Sequence, residues 1–264
     1  MPCREAPLRQ GYNVIGRCSR IRGNHAQNTG GGIFAWNGTS LTLNDHYITG
    51  NSSDGANGSF LHARSSTAFD PGSPTEVAIR NALISENSGG TVLYVGTGSS
   101  VEVAWSTIAG NEVPGGNSLL RAFSSDASFE NRLDVRQSIV WNDLGSQLAT
   151  QGGGGDTQIQ AFCVIGFQEE QDSGIDTATY YSQIYPEFLD PEAGNFNLSI
   201  NSPAINYCRG SNSPDVDLSR FERGHVFEGD TIEPPNPDSI RIYDIGAFVV
   251  RGDQLFRDRF SPKK

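Results

Sequence analysis

Glu102 and Asp134 are the acidic side chains whose setting first suggests chemistry. Each stands between two aliphatic residues, in Val101-Glu102-Val103 and Leu133-Asp134-Val135. Laid in register with two earlier segments, they fall in one outward column, Thr42, Ala78, Glu102 and Asp134. The next column holds Asn44, Arg80, Ala104 and Arg136. On adjacent parallel strands the two carboxyls would stand about 5 Å apart, near the separation at which retaining glycosidases set an acid and a nucleophile. Arg80 and Arg136 lie close enough to neutralise both, so the plainer reading is an exposed ion-pair cluster.

A second set of segments gives another outward column, Ala35, His62, Tyr94 and Arg121, with Arg64 two residues beyond His62. An aromatic ring beside guanidinium and imidazole groups can stack on a sugar and bond its hydroxyls or carboxylates. His62, Arg64, Tyr94 and Arg121 are therefore the candidate ligand-binding residues. Arg121 also joins Glu102 and Asp134 as a candidate catalytic residue. The plainer alternative is a solvated outer sheet face.

Asp215 and Asp217, with Glu228, Asp230 and Glu233 nearby, offer oxygens to a hard cation such as calcium, but no complete calcium loop can be read. No other cofactor is called for. His25, His46, His62 and His225 are scattered, without HExxH or an i,i+4 pair for zinc, and GxSxG, P-loop and dinucleotide fingerprints are absent. Cys3, Cys18, Cys163 and Cys208 allow three complete pairings and fit no CxxC pattern; the pairing of Cys163 with Cys208 is favoured.

The elements that must position these residues are marked by a recurring phrase, Ile-x-x-Asn, at Ile21 to Asn24, Ile48 to Asn51, Ile84 to Asn87 and Ile108 to Asn111. Ile139-Val140-Trp141-Asn142 is a looser fifth copy. Spacings of 27, 36, 24 and 31 residues between successive Asn suit a solenoid with loops of varying length. Upstream of the last four Asn, by eight residues, lies a period-two aliphatic pair: Leu41 and Leu43, Val77 and Ile79, Val101 and Val103, then Leu133 and Val135, one residue shorter. Such pairs face inward on a strand. Downstream come glycine clusters, as in Gly30-Gly31-Gly32-Ile33-Phe34 and Gly89-Gly90-Thr91-Val92-Leu93, because Asn and Gly tolerate the left-handed angles of a corner. At about 4.8 Å per layer, Asn24, Asn51, Asn87, Asn111 and Asn142 would stack as a hydrogen-bonded structural ladder. Five visible layers span only about 20 to 25 Å, and their ends need covering.

On these residues the chain resembles the right-handed parallel β-helix proteins of the pectin-lyase-like superfamily, whose repeats often read strand, Ile-x-Gly-Asn, Gly-Gly-Gly-Ile. The C-terminal part resembles the choice-of-anchor Q region of bacterial secreted and surface proteins. Its marks are Asp190 to Leu198, Ser202-Pro203-Ala204-Ile205-Asn206, Asp215-Val216-Asp217-Leu218 and Asp244-Ile245-Gly246-Ala247-Phe248. Asn206 stands where the family usually has Asp, and Val249 where it usually has Glu. The resemblance implies an extracellular or cell-surface protein whose last coils are closed by the C-terminal region. It also implies N-terminal truncation, or a substitute cap in residues 1–20. Asn44-Asp45-His46 is similar to the Asp-His step of pectate lyases, without the partner Asp cluster. A polygalacturonase-like lysine is missing, the only lysines being Lys263 and Lys264.

The 264 residues, 36% hydrophobic with 31 glycines, suffice for one elongated core. Net charge is −11, concentrated in residues 165–239, where 3 basic side chains face 14 acidic ones. That balance disfavours nucleic acid and anionic membrane. No stretch is long and apolar enough to span a bilayer, and the start lacks a signal peptide's apolar run. The sequence therefore predicts an all-β, right-handed single-stranded parallel β-helix of about five to seven coils. Its repeats occupy residues 21–164, between an N-terminal segment (1–20) and an acidic cap (165–250), with a tail at 251–264. The expected function is a non-catalytic extracellular or cell-surface module that binds glycan or a protein partner along a sheet face. A polysaccharide lyase or glycoside hydrolase, and a structural stalk fragment, are the alternatives. The sequence leaves the oligomeric state open.

Overall fold

The period-two aliphatic pairs form strands that return, layer after layer, to the same two sheets. In chain order the strands are β1 (Val14–Arg22), β2 (His25–Ala26), β3 (Ile33–Trp36), β4 (Ser40–Thr49), β5 (Ser52–Ser53), β6 (Asn57–Arg64), β7 (Thr75–Ser85) and β8 (Thr91–Val95). They continue with β9 (Ser99–Ala104), β10 (Thr107–Ala109), β11 (Ser118–Ser124), β12 (Asn131–Trp141), β13 (Gln147–Gly153), β14 (Thr157–Gly166) and β15 (Thr177–Ser182). This computed structural model describes residues 14–66, 74–114, 117–142, 147–153, 156–166, 175–209, 214–221, 223 and 242–249. No α-helix occurs among them, and no helix is long and apolar enough to cross a membrane. The N-terminal segment up to residue 13, the 251–264 tail, Glu228, Asp230, Glu233, His225 and Cys3 lie outside them.

Sheet I runs β1-β4-β7, then β9 and β10 side by side, then β12-β14-β15, all parallel. Sheet II runs β3-β6-β8-β11-β13, also parallel. The chain alternates between the two, so the molecule is all-β with stacked parallel sheets. One apolar core fills the space between them. Leu41, Leu43, Val77, Ile79, Val101, Val103, Leu133 and Val135 of sheet I join Leu61, Leu93 and Leu120 of sheet II in it. Fully burying such a side chain is worth about 1.5–3 kcal/mol, so each layer depends on its neighbours for its stability.

A feature not legible in the sequence bends the layers of sheet I from β4 to β15. Asp45 (φ 61°), Asn81 (53°), Trp105 (53°), Gln137 (44°), Cys163 (56°) and Tyr180 (53°) all adopt left-handed angles. The pairs on either side, such as Asn44 with Arg80 and His46 with Ala82, put these residues at one level. A left-handed residue interrupts the alternation, so inward positions resume at Ile48, Ile84, Ile108 and Val140. Leu83, Ile139 and Ile165 turn to the opposite side.

That opposite side is where the C-terminal region lies. It comprises β16 (Phe188–Asp190), a single 3-10 turn (Pro191–Ala193), β17 (Asn195–Leu198), β18 (Cys208–Arg209) and β19 (Ile242–Tyr243). Phe188, Phe196, Leu198, Ala204, Leu218, Ile245 and Phe248 pack on Leu83, Ile139, Trp141 and Ile165 in a second core. A disulfide joins Cys163 on β14 to Cys208. Buried Arg223 donates to Asn81 Oδ1 (3.0 Å) and to the carbonyls of Asp244 (3.2 Å) and Gly246 (2.7 Å). Burial pulls its guanidinium down to about 10, with Asp217, Asp244 and Asp45 opposing. The described part of the region covers the flank of sheet I, because the left-handed bend presents an apolar row there, and its Tyr207 reaches the last strand, donating to the Tyr180 carbonyl (3.0 Å) and meeting Ser182 Oγ (2.7 Å).

Candidate ligand-binding face

Sheet II carries the aromatic and cationic residues. Its register aligns Phe34 with His62, His62 with Tyr94, Tyr94 with Arg121 and Arg121 with Thr150. Phe34, not Ala35, thus heads the column, and Ala35 is 2% exposed and points inward. Matching the bulky pair Ile33-Phe34 to Phe60-Leu61 sets the copies one residue out of step. The left-handed glycines Gly30 and Gly58 are the true equivalents, since each precedes by three residues the paired Ile33 and Leu61.

The outer rings form a connected row. Phe34 stacks on Trp36 (centroids 5.5 Å apart) and meets His62 (5.1 Å), which meets Tyr94 (4.6 Å). Arg64 lies over Trp36 at 5.0 Å, and Arg121 lies between Tyr94 (5.9 Å) and Phe123 (5.3 Å). Each cation–π contact is worth about 0.5–1 kcal/mol at an exposed site, so the stems and rings hold one another in place. This packing covers His62 (4% exposed) and Tyr94 (9%), whereas Phe34 remains 41% exposed. Tyr94 therefore supports the face and does not offer its ring as a platform. The accessible rings are Phe34, Trp36 and Phe123, of which the sequence reading missed all three.

Electrostatics sharpen the contrast with the rest of the chain. The five strands of sheet II contain Arg64, Arg121 and His62 but no Asp or Glu. Burial drives the His62 imidazole down to about 4, with the nearby Arg64 charge assisting and the Asn57 backbone weakly opposing. Neither ring nitrogen makes a well-aligned hydrogen bond, and the ring is neutral at pH 7. Burial likewise raises the Tyr94 hydroxyl, with Arg121 and Arg64 opposing. Arg64 and Arg121 are thus the fixed charges of this face.

The carboxylate pair lies on sheet I. Register pairs Glu102 directly with Asp134, and Arg80 and Arg136 with Ala104 between them. Arg80 donates from Nε (2.9 Å) and Nη2 (2.7 Å) to Glu102 Oε1. Asp134 is held from both sides, by Arg132 Nε at 2.9 Å and Arg136 Nη2 at 3.2 Å. Arg132 is a partner that the sequence reading did not include. Each carboxylate is thus already paired with guanidinium. Arg121 belongs to the other sheet and does not join them.

Asp217 is a structural acceptor. Its Oδ1 takes the Phe221 amide (2.8 Å) and its Oδ2 the Val249 amide (3.0 Å), while burial raises its pKa. Val249 therefore meets this acceptor through its backbone. Asp215 accepts the Arg223 amide through its backbone carbonyl at 3.0 Å. No group of three or more metal-ligating side chains occurs among the described residues. Asp45 of the Asn44-Asp45-His46 step accepts from Asn81 at 2.6 Å and pairs with Arg220 at 3.6 Å. His46 is buried between Ser19 Oγ (2.7 Å) and the Asn44 carbonyl (2.8 Å), and burial lowers its pKa.

In the asparagine row, Nδ2 of Asn24 donates to Asn51 Oδ1, Asn51 to Asn87 and Asn87 to Asn111, each at 2.9 Å. Asn142 is out of line. Val140 pairs with Ile108 and Trp141 with Ala109, so Asn142 falls level with Gly110, one residue short of Asn111. The phrase aligns Ile139 with Ile108, whereas Val140 is the residue that pairs with Ile108 and faces the core, and Ile139 faces the flank. No family model, curated protein or solved structure matches the chain.

Proposed function

We propose that this chain is a non-catalytic glycan-binding module that works outside the cell or at its surface, and that its ligand lies along the outer face of sheet II. The observation that carries the reading is the row Phe34, Trp36, Arg64, Arg121 and Phe123 on strands that hold no carboxylate. Flat rings stack on sugar faces, and guanidiniums bond carboxylates or hydroxyls in the same plane. The parallel sheets fed alternately by one chain support a right-handed β-helix of about five to seven coils, since about 98% of parallel crossovers are right-handed. The Gly-Gly-Gly-Ile and Asp-Ile-Gly-Ala-Phe segments support a pectin-lyase-like helix with a choice-of-anchor Q type region. Extracellular placement rests on that resemblance and accords with the disulfide.

The test is retention of the purified chain on a panel of acidic and neutral polysaccharides, alongside an assay for new reducing or unsaturated ends. Retention without products, weakened at least tenfold by Trp36→Ala or Arg121→Ala, is the expected result. Products that vanish in Glu102→Gln would establish a lyase or hydrolase instead. Absence of both signals would leave a stalk or a protein-binding face.

A further inference from the structure

We propose that the Asn57-Gly58 step is a self-modification site, at which Asn57 deamidates with the help of Arg121 and places a carboxylate on a sheet whose strands otherwise hold no Asp or Glu. The modification stands apart from any glycan. Its effect on binding rests on the ligand face proposed above.

Deamidation begins when the amide nitrogen of the following residue attacks the side-chain carbonyl carbon of asparagine. A glycine at that place gives least steric cover, because it has no Cβ. The chain has two Asn-Gly steps, Asn37-Gly38 and Asn57-Gly58, and they differ in what holds the carboxamide. Asn37 Oδ1 accepts the Ser66 amide at 2.6 Å, a short bond from an uncharged donor that ties the side chain to the neighbouring layer. Asn57 Oδ1 accepts from Arg121 Nη1 at 3.5 Å, a long contact with a charged donor that lets the carboxamide turn. Asn57 is half-buried, so water reaches it. Its backbone is also irregular. Asn57 pairs with Thr91 and Leu61 with Leu93, so β6 advances four residues where β8 advances two, and Gly58 sits in this stretch at φ 71°. Such an interruption of the ladder, with a glycine inside it, is where the chain can rotate toward the attacking geometry at least cost.

In the reaction Gly58 N bonds to Asn57 Cγ, and negative charge gathers on Oδ1, the atom on which the Arg121 guanidinium already bears. Positive charge placed where the transition state becomes negative lowers the barrier. The Cγ–Nδ2 bond then breaks, ammonia leaves with the proton given up by the Gly58 amide, and water opens the cyclic imide to aspartate or isoaspartate. The new carboxylate faces Arg121 and pairs with it, so one of the two fixed cations of sheet II is lost to an acidic ligand. An isoaspartate also lengthens the backbone beside Gly58, whose carbonyl holds the Gly30 (2.8 Å) and Gly31 (3.0 Å) amides ahead of Phe34 and Trp36.

The experiment is incubation of the full chain at mildly alkaline pH, with peptide mapping by mass spectrometry over time. Conversion of Asn57 should outpace that of Asn37. Arg121→Ala should slow Asn57 about tenfold and leave Asn37 unchanged, whereas Arg121→Lys, which keeps a cation there, should retain part of the rate. Mere loosening of the sheet by Arg121→Ala would speed the reaction, so the sign separates assistance from support. An Asn57 that stays intact while Asn37 converts overturns the proposal, as does a rate at Asn57 that neither Arg121 variant lowers. Retention of Asn57→Asp on acidic and neutral polysaccharides tests the consequence, with unchanged thermal unfolding showing that it folds. Acidic ligands should weaken and neutral ones should not; equal retention of acidic ligands overturns the effect on the face. If the unmodified chain retains no polysaccharide, the glycan reading fails, and the mapping alone decides the modification.

Discussion

His62 shows how a single position couples the face to solution conditions. Its folded pKa, about 4, lies below the ordinary 6.5, so protonation favours the unfolded chain. The stability it protects is fully present above the unfolded value and is lost as pH falls through the folded one. The total is about 3 kcal/mol at 1.36 kcal/mol per unit. Buried His46 shifts in the same direction and adds to the loss. Asp217 acts oppositely, since a raised carboxyl pKa favours the folded chain once protonated. Denaturant titrations between pH 7 and 4 should show stability falling in wild type and falling less in His62→Phe. Equal slopes would show that the imidazole is not buried as described. Asn87→Ala should be costlier at neutral pH. It removes the bonds to Asn111 and Asn51 and leaves the Ile48 and Ser85 carbonyls without their side-chain donor, so a loss of about 2–4 kcal/mol is expected from calorimetric or denaturant unfolding.

At the scale of elements, the flank is the more removable part. The Cys163–Cys208 disulfide closes a span of 45 residues, for which loop entropy gives about 4 kcal/mol. Replacing both cysteines by Ala should lower the unfolding midpoint and speed proteolysis within 186–249, while the stacked sheets stay resistant. Cleavage spread evenly over the chain would contradict this division. The strands of both sheets were legible because period-two aliphatics and corner glycines report directly on which side is buried. The flank was not. Its docking row, Leu83, Ile139 and Ile165, exists only because of the left-handed bend at Asn81, Gln137 and Cys163, and of these only Asn81 is a residue type that favours positive φ. Asn142 is misplaced for its own reason: it follows its bend residue Gln137 by five positions, where Asn51, Asn87 and Asn111 follow theirs by six. Phe34 was lost for a different reason: two adjacent bulky residues fit either register, and only the pairing of Ile33 with Leu61 decides.

For the molecule as a whole, the separation of charge matters more than the net of −11. The acidic side chains concentrate after residue 164, yet sheet II has two arginines and no acid, so it is the surface on which an anionic polymer meets least repulsion. Exposed charges are screened within about 8 Å at physiological ionic strength. Retention of a uronate-bearing polysaccharide should therefore weaken steeply with salt, whereas stacking of a neutral one on Phe34, Trp36 and Phe123 should not. Arg64→Ala should flatten the salt dependence and also loosen Trp36, over which the guanidinium lies, so it should weaken neutral ligands slightly and acidic ones strongly. Glu102→Gln on sheet I should change neither. If salt and Arg64→Ala affected acidic and neutral polymers alike, the guanidinium would be acting only as a prop for the ring, and charge would not be part of the recognition.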